Sequence, residues 1–300
     1  MNYRHVYHAG NFADVLKHLT LALVIEHLKL KPAPFRVIDT HAGTGLYDLS
    51  SEEAAKTGEW RTGIGRLIGR PAPAEVADVL APYLSAVHPS LVAPVALTGA
   101  PVDGQVLEYP GSPFIARRLM RPGDVLVANE LHPEDRVALE TLFQRDKSVK
   151  VMGLDGWTAI RSLLPPKERR GLVLIDPPFE EPGEFHRIIA GLEDGLARFA
   201  HGTYLIWYPI KDVKAVRNFY AGLDRLRIAD RIVIELSLRA MDEEPGLAAT
   251  GLVVVNPPYM LKDHLETVMP WLVSALERRP RSGRWRVSQN FTADGQITSA

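Results

Sequence analysis

From Gly123 onward the chain alternates between short apolar runs and longer segments of helical period. The runs at 124–130, 149–155, 171–176 and 203–208 are short, apolar and rich in β-branched residues, and read as buried strands. The segments at 133–144, 157–164, 184–199 and 212–226 place apolar residues three and four apart and read as helices. Pro133 opens the first of them, where its missing N–H would have no partner in any case. Strands joined through helices cross over and lie parallel, so the pattern dictates an α/β fold around a doubly wound, mostly parallel sheet. The runs at 231–238 and 252–256 have no helix between them and are expected to pair as a hairpin, turning the last strand antiparallel. A helix over 262–276 follows. Upstream, 13–30 carries apolar residues on more than one helical face and leads into a strand at 35–39, so that helix should be buried on several sides.

In an open α/β sheet ligands bind beyond the carboxyl ends of the strands. Four of those ends carry an acid: Asp39, Glu130, Asp155 and Asp176. The last three follow one another by about one strand–helix unit, but far more chain separates Asp39 from Glu130. The excess is read as a small helical insertion over 46–105, with helical stretches near 52–68 and 75–86. Its uncharged stretch, 79–102, is broken by Pro82, Pro89, Pro94 and Pro101, which excludes a membrane span. The main domain would then comprise 1–45 and 106–276. Residues 277–300 form a basic, then polar tail, expected to be poorly ordered at its end. Ser112 is placed to cap the helix that resumes the domain.

His41-Ala-Gly43-Thr-Gly45 follows the first strand, as a nucleotide-binding turn should, but lacks the G-x-G-x-x-G spacing that sets a helix N-terminus against a pyrophosphate. Glycines here suit close backbone approach to a ligand without phosphates. Glu130 can accept both hydroxyls of a ribose, and Asp155-Gly156 can read an adenine amino group. Together they fit S-adenosylmethionine better than NAD.

Asp176-Pro177-Pro178-Phe179 closes a buried strand. An exocyclic amine of a nucleobase is a poor nucleophile because its lone pair is delocalised into the ring. The Asp176 carboxylate and the Pro177 carbonyl can accept its two N–H groups and draw it towards tetrahedral geometry. Phe179 can stack on a base that has left its helix. Methyl transfer then needs positioning and electrostatics, with no metal and no covalent intermediate. Asn256-Pro-Pro-Tyr259 repeats the pattern, but after the last strand, and is read as a structural turn.

The absence of cysteine excludes disulfides, thiolate metal sites and a Cys nucleophile. A net charge of −1 requires any nucleic-acid site to be a local basic surface, for which Lys167–Arg170 and the arginines between 278 and 286 are candidates. Asp14 and His18 lie one helical turn apart, too few ligands for a metal. Trp207 and Tyr208 could border a base, though core positions suit them better. The N-terminal residues have no apolar run of the kind found in secretory leaders, and a cytoplasmic protein is expected.

Five segments, Met1 to His18, Asp39-Thr-His-Ala-Gly43, Tyr109-Pro-Gly-Ser-Pro113, Glu130-Leu-His-Pro133 and Ile175-Asp-Pro-Pro-Phe179, resemble the RlmJ family of bacterial 23S ribosomal RNA adenine-N6 methyltransferases. The resemblance runs to about Leu276. It implies a Rossmann-like class I methyltransferase core with a small helical insertion, S-adenosylmethionine as donor and N6-methyladenine as product. Carried over by motif, His18, His41, Ser112, Glu130, Asp155 and Gly156 would contact the cofactor, beside Gly43 of the glycine turn. Asp176 would touch cofactor and base, Tyr3 would meet the RNA, and the N-terminal segment would sit over the cofactor. The expected partner is 23S ribosomal RNA, naked or in an early assembly intermediate, met by a monomer with no membrane or metal. The family motif usually ends in Tyr where this chain has Phe179, and Asp-Pro-Pro-Phe also occurs in guanine-N2 methyltransferases. The alternatives are DNA adenine-N6 or ribosomal RNA guanine-N2 methylation, and an RNA-binding assembly factor without turnover.

Overall fold

Phe12–Lys29 (α1) is buried along nearly its whole length, because apolar side chains surround it and it packs against four other helices. It leads into Arg36–Asp39 (β1) in a computed structural model that describes residues 4–87, 108–240 and 246–290. Next come Leu46–Asp48 (β2), Glu52–Thr57 (α2), Glu59–Thr62 (α3), Ala74–Val87 (α4), Glu108–Pro110 (β3) and Ser112–Leu119 (α5). The alternating part supplies Val125–Asn129 (β4), Pro133–Phe143 (α6), Val149–Met152 (β5), Gly156–Leu163 (α7), Gly171–Ile175 (β6) and Glu184–Arg198 (α8). Thr203–Ile210 (β7), Val213–Asp224 (α9), Arg231–Ser237 (β8), Ala249–Val255 (β9), Leu261–Leu276 (α10) and Arg284–Gln289 (β10) complete it.

Eight strands form one sheet in the order β10-β8-β9-β7-β6-β1-β4-β5. β1, β4, β5, β6 and β7 run parallel, and β9 lies antiparallel between β7 and β8, as the missing helix requires. This is the doubly wound, mostly parallel α/β sheet that the alternating pattern predicts. The chain builds outward from β1 through β4 and β5, then crosses back to place β6 on the other side of β1. The β1/β6 junction is therefore the topological switch point, where strand ends diverge and leave a crevice. Val37, Leu126, Leu172, Leu174 and Leu205 face the α1 side of the sheet, while Ile38, Val127, Val173 and Ile206 face α7, α8 and α9.

Three features depart from the sequence reading. The 52–68 stretch is not one helix: Gly58, at φ 60, ends α2, and Glu59–Thr62 and a 3-10 turn at Ile64–Arg66 follow. Ser112 does not cap α5; Gly111 holds that position and Ser112 is the first helical residue, its hydroxyl used elsewhere. The tail contributes β10, paired antiparallel with β8, because Trp285 and Val287 alternate with arginines and Val287 reaches the apolar core. β2 pairs with β3 in a two-stranded ribbon, and α4, between them in the chain, shares the main core through Leu80 and Tyr83. Tyr3, the uncharged connection beyond Val87 and the last ten residues lie outside the described residues. No described helix is long and apolar enough to cross a membrane.

Candidate active site

The crevice at the switch point is a cleft of about 440 Å³. Of the residues singled out from sequence, it brings together His18, His41, Gly43, Ser112, Glu130, Asp155, Gly156, Asp176 and Pro177. Phe179 is not in its lining. Its backbone turns to φ 52, and its half-buried ring meets Phe185 and Trp207 edge-on at 5.1 and 5.8 Å. Tyr208 is wholly buried and bonded to Tyr220, a core role.

Asp39 ends β1, buried, and accepts from Ser112 Oγ at 2.6 Å and the His41 amide at 3.3 Å. Burial pushes its carboxyl up to about 7, against the opposing Ser112 hydrogen bond. The unfolded chain releases this proton near pH 4. The folded state holds it until about pH 7, so stability falls as pH rises across that window and then levels off. Asp39→Asn is expected to lose this dependence. Its stability relative to wild type should be greater at pH 8 than at pH 5 by about 2–3 kcal/mol, read from urea unfolding. An unchanged difference between the two pH values would refute it.

The glycine turn is built by close approach. Gly43 sits at φ 61, and a Cβ there would stand 2.1 Å from Tyr47 Oη. Its amide donates to Glu130 Oε2 at 2.8 Å, while Glu130 Oε1 accepts from the His132 amide at 2.7 Å. Two backbone donors thus fix a carboxylate that burial pushes upward, leaving a lone pair on each oxygen for a ligand. Thr40 spends its hydroxyl proton on Leu174 O, so His41 Nδ1 must donate to Thr40 Oγ1, and His41 Nε2 is the acceptor nitrogen. Burial lowers the pKa of His41 and favours this neutral form. A Cβ on Gly156 would lie 2.5 Å from His41 Nε2, which is why glycine opens α7. Asp155 caps that helix, its Oδ1 accepting from the Thr158 amide. The strand read from sequence as ending at Asp155 stops at Met152, so Asp155 lies three residues past it.

The group missed from sequence is Lys17. Buried on α1, it reaches Asp176 Oδ2 at 2.5 Å and Asp14 Oδ1 at 2.8 Å. Asp14 Oδ2 in turn accepts from His5 Nε2 and the Gly10 amide, each at 2.9 Å. Burial opposes the charge on Lys17, but Asp14 and Asp176 outweigh it and hold the ammonium above its usual range. For Asp14 burial is likewise outweighed, by His5 and Lys17, and its carboxyl stays well below the usual range. Asp176 therefore sits at the cleft already paired with a buried cation. Charged residues three apart on a helix otherwise apolar all round were the available signal.

His18 is buried beside them. Nδ1 pairs with Tyr109 Oη at 2.7 Å, and Tyr109 with Tyr83 at 3.1 Å. Burial pushes its pKa down to about 3, so the ring is neutral. Nε2 is buried with no hydrogen-bond partner and belongs to a side chain lining the cleft. An orphaned polar atom in such a place points to a ligand.

The second Asp-Pro-Pro-like turn is occupied structurally: the Asn256 side-chain amide donates to Ala200 O and Gly202 O, both at 2.8 Å. His8 pairs with Glu59 and Asn11 donates to the same carboxylate, while Arg170 donates to backbone carbonyls and Glu168 pairs with Arg36. Among the described residues no group of three metal-ligating side chains converges.

Residues 32–290 match the family model described as Ribosomal RNA large subunit methyltransferase D, RlmJ. The chain is 40% identical over 288 residues to the Ribosomal RNA large subunit methyltransferase J of Haemophilus influenzae, covering 96% of this chain and 98% of that one. It is 41% identical over 278 residues to the protein of the same name from Escherichia coli, covering 92% and 94%. The crystal structure of protein LPL1258 from Legionella pneumophila superposes with a TM-score of 0.80 at 29% identity, covering 94% of this chain and 98% of that one.

Proposed function

The chain belongs to the RlmJ family of ribosomal RNA large-subunit methyltransferases, and from that premise we propose that it methylates N6 of an adenine in 23S ribosomal RNA at the β1/β6 cleft, with S-adenosylmethionine as donor. The observation that carries this reading is the carboxylate of Asp176, held at the cleft by an ion pair with a buried lysine. The cleft's donor set fits the cofactor: the orphaned His18 Nε2, the fixed Glu130 carboxylate and the glycine-lined floor at Gly43 and Gly156. Glu130 would hold the ribose hydroxyls, Asp155 and Gly156 the adenine edge, and His18, His41 and Ser112 the remainder.

When bound, S-adenosylmethionine supplies an electrophilic methyl carbon on a sulfonium. Asp176 and the Pro177 carbonyl accept the two N–H groups of the target amine and aim its lone pair along the line of displacement. With the donor in place, Asp176 would also receive the proton that the amine gives up on methylation. Phe179 offers the exposed part of its ring to the flipped base, and Tyr3 meets the RNA. The protein acts as a monomer on naked or early-assembly RNA.

Purified protein, labelled donor and large-subunit ribosomal RNA, followed by digestion to nucleosides, test this reading. N6-methyladenine is the expected product. N2-methylguanine would favour the reading suggested by Phe179, equal methylation of DNA would change the substrate class, and no transfer would leave a binding protein. His18→Phe removes the orphaned nitrogen and should weaken S-adenosylmethionine binding up to about tenfold by calorimetry. Unchanged affinity would remove His18 from the cofactor site.

A further inference from the structure

α10 climbs from the amino end of the sheet to its carboxyl end, and β10 descends from there, with Arg284 opposite Ser237 at the carboxyl end of β8. The turn between them is thus on the same face of the molecule as the cleft. It carries Arg278, Arg279, Arg281 and Arg284, all exposed. The one acid of residues 277–290, Glu277, is folded onto the turn, accepting from the Gly283 amide at 3.0 Å. The insertion adds to this patch. Arg66 donates to the carbonyls of Leu276 and Glu277 at 2.8 and 2.6 Å, tying the insertion to the end of α10. Arg70, exposed, donates to Ser274 O and lies over the Trp271 ring.

The cleft itself is lined by acids as well as bases, Asp135, Glu180 and Glu181 beside Arg187, so it has no such excess of positive charge. In a chain of net charge −1, a run of exposed arginines with a single acid is the kind of local field that orients a polyanion. From β6, which Asp176 directly follows, to β10 is four strand spacings, roughly 19 Å. That is on the order of five nucleotide steps along one strand.

We propose that Arg70 with Arg279, Arg281 and Arg284 forms a phosphate-binding track for the RNA strand that flanks the target nucleotide. This rests on the reading that RNA is the substrate. The track fixes the register of the strand by charge, while base recognition stays in the cleft. Arg66 is the tie that holds the two halves of the track together.

The test compares wild type with a triple variant Arg279→Gln, Arg281→Gln, Arg284→Gln and with the corresponding triple Lys variant. Each is titrated with a large-subunit ribosomal RNA fragment over a range of salt, and with S-adenosylmethionine. For the Gln variant, the slope of log affinity against log salt should become shallower by about two, and RNA affinity at 0.1 M salt should fall about 100-fold. The Lys variant should keep the wild-type slope, and all three should bind S-adenosylmethionine equally. An unchanged slope in the Gln variant overturns the track. If that variant loses S-adenosylmethionine binding, the single Arg279→Gln variant decides, with a slope change of about one expected and no change refuting. RNA binding and methyl transfer are read separately, so a wild type that binds RNA but transfers no methyl group sinks the proposed reaction and leaves the track to its own slopes.

Discussion

Asp176→Asn is expected to lower single-turnover methyl transfer to RNA by about 10²- to 10⁴-fold, the range for a group that handles a proton or a developing charge at the reacting atom. S-adenosylmethionine affinity should change little. A carboxylate offers acceptors on both oxygens, whereas asparagine replaces one with an N–H₂ that faces the N–H of the amine it should receive. The variant also leaves Lys17 with Asp14 as its remaining partner carboxylate, so part of the loss could come from a shifted lysine. Thermal unfolding and donor titration separate the two. A variant that is folded, binds donor and turns over within about threefold of wild type would show that the acceptor lies elsewhere.

The sheet was legible because its signals are local. Strands such as Gly171–Ile175 are continuous apolar runs, and the helices between them keep their period, so alternation alone forces parallel crossovers, whereas the strand order and the switch point depend on long-range pairing. That Glu130 and Asp176 reach the cleft was legible because each directly follows an apolar strand; Asp39 ends its strand too, but lies buried against Ser112. Lys17 was not. Its meaning comes from Asp176, 159 residues away, and from the burial of a helix whose charged face reads by default as solvated. His18 was flagged by resemblance alone, since a missing hydrogen-bond partner exists only once Tyr109 has taken the other nitrogen. β10 was hidden because five arginines mask the two-residue alternation of Trp285 and Val287. Ser112 had the composition of a cap, but Asp39 competes for its hydroxyl from across the fold.

Lys17→Met should cost about 3–5 kcal/mol of stability at neutral pH, because it leaves the buried Asp14 carboxylate beside the partly exposed Asp176 carboxylate without the cation between them. In the wild type the signs agree. The raised lysine contributes stability that is present below its unfolded pKa, near 10.5, and lost as pH rises through its folded value. The lowered Asp14 contributes stability present above about pH 4 and lost as pH falls through its folded value. Neutral pH lies inside both windows. Without Lys17, the like charges of Asp14 and Asp176 repel each other and the acceptor carboxylate is no longer held in place. Methyl transfer should then fall by about 10- to 100-fold at saturating donor, the cost of a misplaced group at the reacting atom, with donor affinity retained. Lysine is thus a positioning residue: it fixes the acceptor without taking the proton itself, which its raised pKa forbids. Urea unfolding reads the stability loss, and single-turnover rates at saturating donor read the transfer step. A stable variant with the wild-type transfer rate would mean that Asp176 needs no buried cation to hold it at the cleft.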